Sequence, residues 1–224
     1  MTNVWLNIIG IGENGLNGLS KSSIECIKRA KIVFGSKRQL QLAKIRERGK
    51  EWPSPFSYEE VFKYKKKKVV ILASGDPFWF GVGSKIVEHL EPDEWRCYPN
   101  YSTFSLAASK LGWAIEETEC TAIHAKPVEV LNSKIKNGKR AIILCKDFHQ
   151  LVLVFDWLKT KKLKVSRFIL MSRLGSEREL VMDLSENNIN ELKLKEEKLQ
   201  PLALGIELNK KSTHLSLFSG LRNE

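Results

Sequence analysis

Apolar residues recur along this chain in short runs, several of them closed by a glycine-bearing or proline-bearing loop. Val4–Ile9 is a strand-like run that ends in a glycine loop. Ser20 then caps a helix whose apolar positions are Ile24, Ile27 and Ala30. A short strand is expected over Lys31–Phe34, closed by Gly35-Ser36, followed by a helix to about Arg46. Gly49–Ser57, with Pro53 and Pro55, reads as loop. Lys68–Ala73 is the clearest strand, because a continuous Val-Val-Ile-Leu-Ala run suits a strand buried on both faces. A helix over Gly83–Leu90, a strand over Trp95–Tyr98 and a helix over Ser102–Leu111 complete a first half of alternating β and α units.

After Gly112-Trp113-Ala114 the pattern restarts. Strands are expected at Glu119–Ile123, Arg140–Cys145, Arg167–Met171 and Leu202–Leu208, with helices after Pro127 and over Phe148–Lys159. The polar stretch Ser185–Gln200 reads as an exposed helix or surface loop. Strands that alternate with helices predict an α/β protein with a largely parallel sheet, at least in its first half. The break near residues 112–118 divides the chain into two lobes, and ligands favour such junctions. No internal repeat or long low-complexity segment is present.

Composition narrows the class. With 42% hydrophobic and 28% charged residues, the 224-residue chain has the make-up of a folded globular protein rather than a disordered one. No apolar run approaches the roughly 18–20 residues of a membrane helix. The N-terminal run lacks the charged region and cleavage site of a signal peptide, so a cytoplasmic protein without membrane attachment is expected. The cysteines (Cys26, Cys97, Cys120, Cys145) form no CxxC pair and are expected as buried free thiols. The histidines (His89, His124, His149, His214) lack ligand spacing, so no metal site is expected.

The formal net charge of +11 calls for an acidic partner. Part of it is clustered, in Lys65–Lys68 and across Lys159–Lys164. The single Tyr64 beside the first cluster is too little aromatic interleaving for a nucleic-acid platform, and no zinc-finger, RRM or KH signature accompanies it. Composition alone leaves the partner open among nucleic acid, an anionic membrane surface and a polyacidic small molecule, although nucleic acid is not the expected one.

Two loops carry candidate chemistry. Gly10-Ile11-Gly12-Glu13-Asn14-Gly15 satisfies GxGxxG after a strand. Read literally it binds a dinucleotide, and the following Lys37 and Arg38 would suit a 2′-phosphate; the alternative is a plain tight turn. The second loop, Ser74–Gly83, follows the most buried-looking strand, at the end where open α/β sheets bind ligands. Asp76 offers a carboxylate to ribose hydroxyls or a cation, Pro77 fixes the turn, and Phe78, Trp79 and Phe80 supply flat apolar surface. No Walker lysine, GxSxG elbow or Cys-His signature is present. A cofactor with a ribose and a positive centre but no phosphate fits this combination, and S-adenosylmethionine has that profile.

At these residues the chain resembles the tetrapyrrole (precorrin) methylases, most closely the cobalt-precorrin-7 C(5)-methyltransferase (CbiE) branch and the N-terminal half of the fused precorrin-6Y C5,15-methyltransferase, CobL. The matching segments run in order: IGIGENGLNGLS, VFGSKRQL, LASGDPFWFGVG, YPNYSTFSLAASKLGW, AIHAKP and PLALGIEL. The resemblance implies a two-lobed methylase fold, an N-terminal mostly parallel lobe over residues 1–115 and a C-terminal mixed-sheet α/β lobe over 116–224. It implies S-adenosylmethionine in the cleft between lobes, S-adenosylhomocysteine as product and a homodimer. Carried over, the cofactor should meet Ser74, Gly75, Asp76, Trp79, Ser102, Thr103, Leu144 or Cys145, Leu202 and Ala203. Gly10, Gly12 and Gly15 should border the substrate, while Lys37, Arg38 and Lys126 pair with its carboxylates. His124 and Glu13 are the candidate bases. The expected reaction is methylation of carbon 5 only, since the fused relatives methylate carbon 15, with decarboxylation, on a further domain; a separate protein would perform that step. The rivals are a related enzyme with another acceptor (uroporphyrinogen, a diphthine intermediate or ribosomal RNA), an NADP-dependent reductase, and a basic binding module.

Overall fold

The computed structural model describes residues 3–124, 126–136, 138–185, 189 and 202–209. Ser185 and Ile189 apart, the expected helix or loop at Ser185–Gln200 lies outside them, as does His214.

The first sheet is built from β1 (Leu6–Ile11), β2 (Ile32–Gly35), β3 (Gly49–Glu51), β4 (Val69–Ser74) and β5 (Trp95–Tyr98). All four pairings are parallel, in the order β3-β2-β4-β1-β5. The two richest apolar runs, β1 and β4, therefore lie side by side inside the sheet, where both faces exclude water. Alternate residues go to opposite faces. Ile9, Ile11, Val70 and Leu72 meet α1 (Lys21–Arg29) and α2 (Lys37–Leu42) through Ile27 and Leu40. Leu6, Ile8, Val69 and Ile71 meet α3 (Glu59–Phe62) and α4 (Val82–Val87) through Val61 and Ile86.

Side-chain caps set where the helices begin. Ser20 accepts a hydrogen bond from the Ser23 N–H at 3.1 Å. Ser36 and Gln39 form a reciprocal capping box at the start of α2. That helix stops at Leu42, short of the expected Arg46, and Lys44 there adopts a φ of 53°.

After β5, α5 (Thr103–Leu111) begins at Ser102 and ends at Gly112 with φ +66°. The second sheet follows, from β6 (Thr118–Ala122), β7 (Arg140–Cys145), β8 (Val165–Ser172), β9 (Leu180–Asp183) and β10 (Leu202–Leu208). Its order is β6-β7-β10-β8-β9, with β6–β7 parallel and the other pairs antiparallel. One face is covered by α6 (Phe148–Thr160), which buries Leu151, Val154, Trp157 and Leu158 against Ile143, Leu170 and Leu204. The other face receives α5: Phe104, Ala107 and Ala108 pack on Ile142, Ile169, Met171 and Ala203. Each fully buried aliphatic or aromatic side chain contributes about 1.5–3 kcal/mol. The helix that leaves the first sheet is thus anchored to the second.

Among the described residues no helix is long and apolar enough to cross a membrane. All four cysteines are free, with Cys145 buried and the other three half-buried, less enclosed than the sequence reading expects.

At Gly10 a methyl group would lie 1.9 Å from the Gly75 carbonyl oxygen and 2.7 Å from the Asn100 nitrogen. At Gly112 it would meet nothing within 4 Å, and only the positive φ opposes it. Gly10→Ala should therefore cost at least about 3 kcal/mol, the upper range for overpacking, and Gly112→Ala about 1–2 kcal/mol. Urea denaturation of both variants checks the order, which reverses if Gly10 tolerates the methyl.

Candidate active site

The C-terminal ends of β1, β4 and β5 converge. The Gly75 N–H donates to the Ile11 carbonyl at 3.1 Å, and the Asn100 N–H donates to the Gly75 carbonyl at 3.3 Å. The Asn100 side-chain amide donates to the carbonyls of Gly10 and Gly18 at 3.4 and 3.3 Å. Gly75, at φ +59°, turns the chain away from β4 without a Cβ that would press on the Tyr101 carbonyl at 2.9 Å. Beyond it, Asp76 Oδ1 accepts from the Phe78 N–H at 2.8 Å and closes a side-chain turn. Gln39 Nε2 donates to Ser74 Oγ at 3.0 Å, tying α2 to the same loop.

A cavity of about 350 Å³ opens between these strand ends and the second sheet. That is within the size range of small-molecule sites. From the first sheet come Gly12, Glu13 and Arg38, then Ser74, Gly75, Asp76 and Trp79, then Ser102 and Thr103. The second sheet adds Leu144 from β7, Met171 from β8, and Leu202 with Ala203 from β10. His124, just past β6, completes the wall. The loop and mouth carry the polar groups, and the second sheet supplies an apolar floor.

Most of the sequence-predicted residues meet here, and five do not. Gly10 and Gly15 are buried against protein backbone, Gly10 under Gly75 and Asn100 and Gly15 under the Leu42 carbonyl. Their lack of a side chain admits the protein's own main chain. Lys37 and Lys126 are exposed outside the cavity. Of the strand-end pair, Leu144 lines the cavity while Cys145 turns to the core under α6, where burial, and then Asp147, push its thiol up to about 12. Ser102 reaches the wall, but its hydroxyl is engaged by the Ser105 N–H at 3.0 Å and the Ser105 hydroxyl at 2.9 Å.

Sequence reading missed several walls of the site. Trp52, just after β3, and Tyr101, 74% exposed, flank the mouth with Phe80. Phe80 holds a φ of 57°, a costly conformation for a bulky residue, and leaves its ring 57% exposed. Trp79 stacks against Phe104 of α5 with ring centroids 4.8 Å apart. Arg173 follows β8; a rule that looks for chemistry at the ends of parallel strands passes over it.

The electrostatics divide the wall. Glu13 pairs with Arg38 across the mouth. Burial, helped by the nearby Arg173 charge, holds Arg38 below the usual guanidinium value. His124 opens onto the cavity, yet the protein around its ring disfavours charge and holds it below the ordinary imidazole value, only partly opposed by a hydrogen bond to the Cys145 backbone. A neutral imidazole at pH 7 is a proton acceptor.

Comparison with known proteins identifies the framework. A sequence profile described as Tetrapyrrole (Corrin/Porphyrin) Methylases matches residues 6–189. A precorrin-6Y C(5,15)-methyltransferase [decarboxylating] from Sinorhizobium sp is 38% identical over 147 residues, 64% of this chain and 36% of that protein. A cobalt-precorrin-7 C(5)-methyltransferase from Salmonella typhimurium is 27% identical over 128 residues, 55% of this chain and 63% of that protein. The chain therefore spans about a third of the first relative's length. The crystal structure of precorrin-6Y methylase (cbiE) from Archaeoglobus fulgidus superposes with a TM-score of 0.64, covering 91% of this chain and 98% of that one at 22% identity, a likeness of fold. With the profile matched over residues 6–189, well over half of its length, the chain belongs to the tetrapyrrole methylase family.

Proposed function

We propose that this chain transfers a methyl group from S-adenosylmethionine to carbon 5 of precorrin-7 or cobalt-precorrin-7 in cobalamin biosynthesis. The observation that carries the reading is the two-sided cavity, in which a polar loop with one carboxylate faces an apolar sheet floor. The similarity to relatives named for carbon-5 methylation supplies the acceptor. A relative named for that step alone is among those the chain resembles, so carbon 5 is the position we assign.

The residues fit the methyl donor. Asp76 can accept ribose hydroxyls, Leu144, Leu202 and Ala203 offer apolar surface to adenine, and the first glycine loop offers no open cradle for a pyrophosphate. When bound, S-adenosylmethionine supplies an electrophilic methyl on a positive sulfur and leaves as S-adenosylhomocysteine. The protein's part is orientation and exclusion of water, which convert a two-body reaction into a positioned one. Trp79, Phe80 and Tyr101 present aromatic faces at the mouth, suited to a flat macrocycle. An acceptor carbon that gained this methyl would have to give up its hydrogen as a proton, so the site must offer a group that takes it. His124 is the acceptor of that proton, because Arg38 occupies the Glu13 carboxylate. A cytoplasmic homodimer is the working form in this proposal.

Incubation with 13C-methyl-labelled donor and the precorrin-7 or cobalt-precorrin-7 pool tests the reaction. A single added methyl at carbon 5 is expected; label at another carbon, or none, contradicts the assignment. For the cofactor loop, Asp76→Ala should weaken S-adenosylhomocysteine binding by about 10-fold or more, the scale of a charge-assisted hydrogen bond. Asp76→Asn keeps the turn acceptor for the Phe78 N–H, so it separates loop geometry from the lost charge. Equal affinity of D76A and wild type in calorimetry removes Asp76 from the site. For the base, the wild-type transfer rate should fall towards acid through an apparent pKa below that of an ordinary imidazole, as His124 gains its proton. His124→Gln should slow transfer by about 100-fold and abolish that acid limb. An unchanged limb in the variant assigns the proton elsewhere.

A further inference from the structure

A second groove opens beside the first and shares Glu13, Arg38 and Arg173 with it. Its far wall is the turn between β8 and β9, which adds Glu177 and Arg178. That turn is tightly bonded. The Ser176 N–H and hydroxyl both donate to the Arg173 carbonyl, at 3.2 and 2.8 Å. Glu179 accepts from the Gly175 N–H at 2.8 Å and pairs with Lys110 of α5 at 2.5 Å. Leu174 is buried beneath it. Arg173 itself has a φ of 49°, away from the relaxed conformation of a long side chain.

The charges in this groove do not balance. Three guanidiniums, Arg38, Arg173 and Arg178, face two carboxylates, Glu13 and Glu177. Glu13, its side chain only 16% exposed, is taken by Arg38. Among the described residues, neither Arg173 nor Arg178 has a carboxylate within ion-pair distance. Arg173 also lies close enough to Arg38 for its charge to act on it, so cations from the two sheets approach each other while Glu13 is paired with only one of them. Like charges facing across a groove are stabilised by an anion that bridges them. The group already in place, the Glu13 carboxylate, shows the chemistry the groove accepts. Guanidinium forks match carboxylates in a bidentate geometry that lysine cannot reproduce.

We propose that this side groove receives a carboxylate arm of the acceptor, with Arg173 and Arg178 as its direct partners. The inference rests on the acceptor reading given above and deepens it: an arm held here fixes which edge of the macrocycle lies over the main cavity. Arg173 and Arg178 are thereby specificity-determining residues, and they take the role that sequence reading gave to Lys37 and Lys126.

The test uses uroporphyrin III, a stable tetrapyrrole with eight carboxylates, titrated by fluorescence into the full chain. S-adenosylhomocysteine affinity is measured on every variant as the check of fold. Arg173→Ala and Arg178→Ala should each weaken porphyrin binding by about 10-fold, and together by about 30-fold or more. Arg178 lies outside the main cavity, so Arg178→Ala should leave the nucleoside affinity unchanged. The pair Lys28→Ala and Lys139→Ala removes the same formal charge from exposed positions outside the groove and should bind porphyrin within about twofold of wild type. If the arginine pair binds porphyrin as tightly as that control, the inference is overturned while the acceptor reading stands. If wild type binds S-adenosylhomocysteine but no porphyrin, the acceptor reading and this inference fall together. Should the alanine pair lose the nucleoside, Arg173→Lys with Arg178→Lys carries the test: an affinity loss of about 3-fold or more supports the bidentate role, and wild-type affinity overturns it.

Discussion

At Gly10 the main chain of β1 passes so close to the carbonyl of Gly75 and the amide of Asn100 that no side-chain carbon fits between them. Everything at the mouth of the cavity depends on that contact. It brings the ends of three parallel strands into one cluster, closed by hydrogen bonds from Gly75 to Ile11 and from Asn100 to Gly75, Gly10 and Gly18. Because the loops leave from this cluster, Asp76 and Tyr101–Thr103 stand beside each other although they are distant in sequence. A methyl group at Gly10 would force the loops apart, and the polar half of the site would lose its geometry before any functional residue changed.

The apolar half comes from a sheet of different construction. Its antiparallel strands place Leu144, Met171 and Ala203 on the face that α5 also covers, so the helix that carries Ser102 and Thr103 is packed on the floor of the cavity. The two halves are therefore coupled through α5 and not merely adjacent. Charge is arranged across the opening in the same spirit. Glu13 and Arg38 come from the first sheet and Arg173 from the second, which places the electrostatic control of the mouth on both sides of the cleft.

Much of this was readable from residue order. The runs that became β1 and β4, the serine cap of α1 and the Ser74–Gly83 loop all combine a local signal with a physical reason, and each stands where it was expected. β3 was not readable, because Gly49-Lys50-Glu51 has no apolar residue and pairs only through its backbone with β2. The glycines of the first loop misled for a related reason. A missing Cβ permits a ligand or another backbone to come close, and sequence does not distinguish the two; Gly10 and Gly15 admit backbone. The choice between Leu144 and Cys145 required the phase of β7, which depends on where α5 and α6 pack. Lys37 and Lys126 have suitable charge but point outside the cleft, whereas Arg173 enters it by way of an antiparallel strand that no glycine motif marks.

In the function proposed above, the strand-end loops and the second sheet together form one binding site for an adenosyl group. A crystal structure of the chain grown with S-adenosylhomocysteine tests it most directly. The ribose is expected against Asp76 and the adenine against Leu202 and Ala203, with the sulfur directed towards the mouth lined by Trp79 and His124. Nucleoside density on the Gly10–Gly15 loop, or a cleft filled by its own side chains, would contradict it.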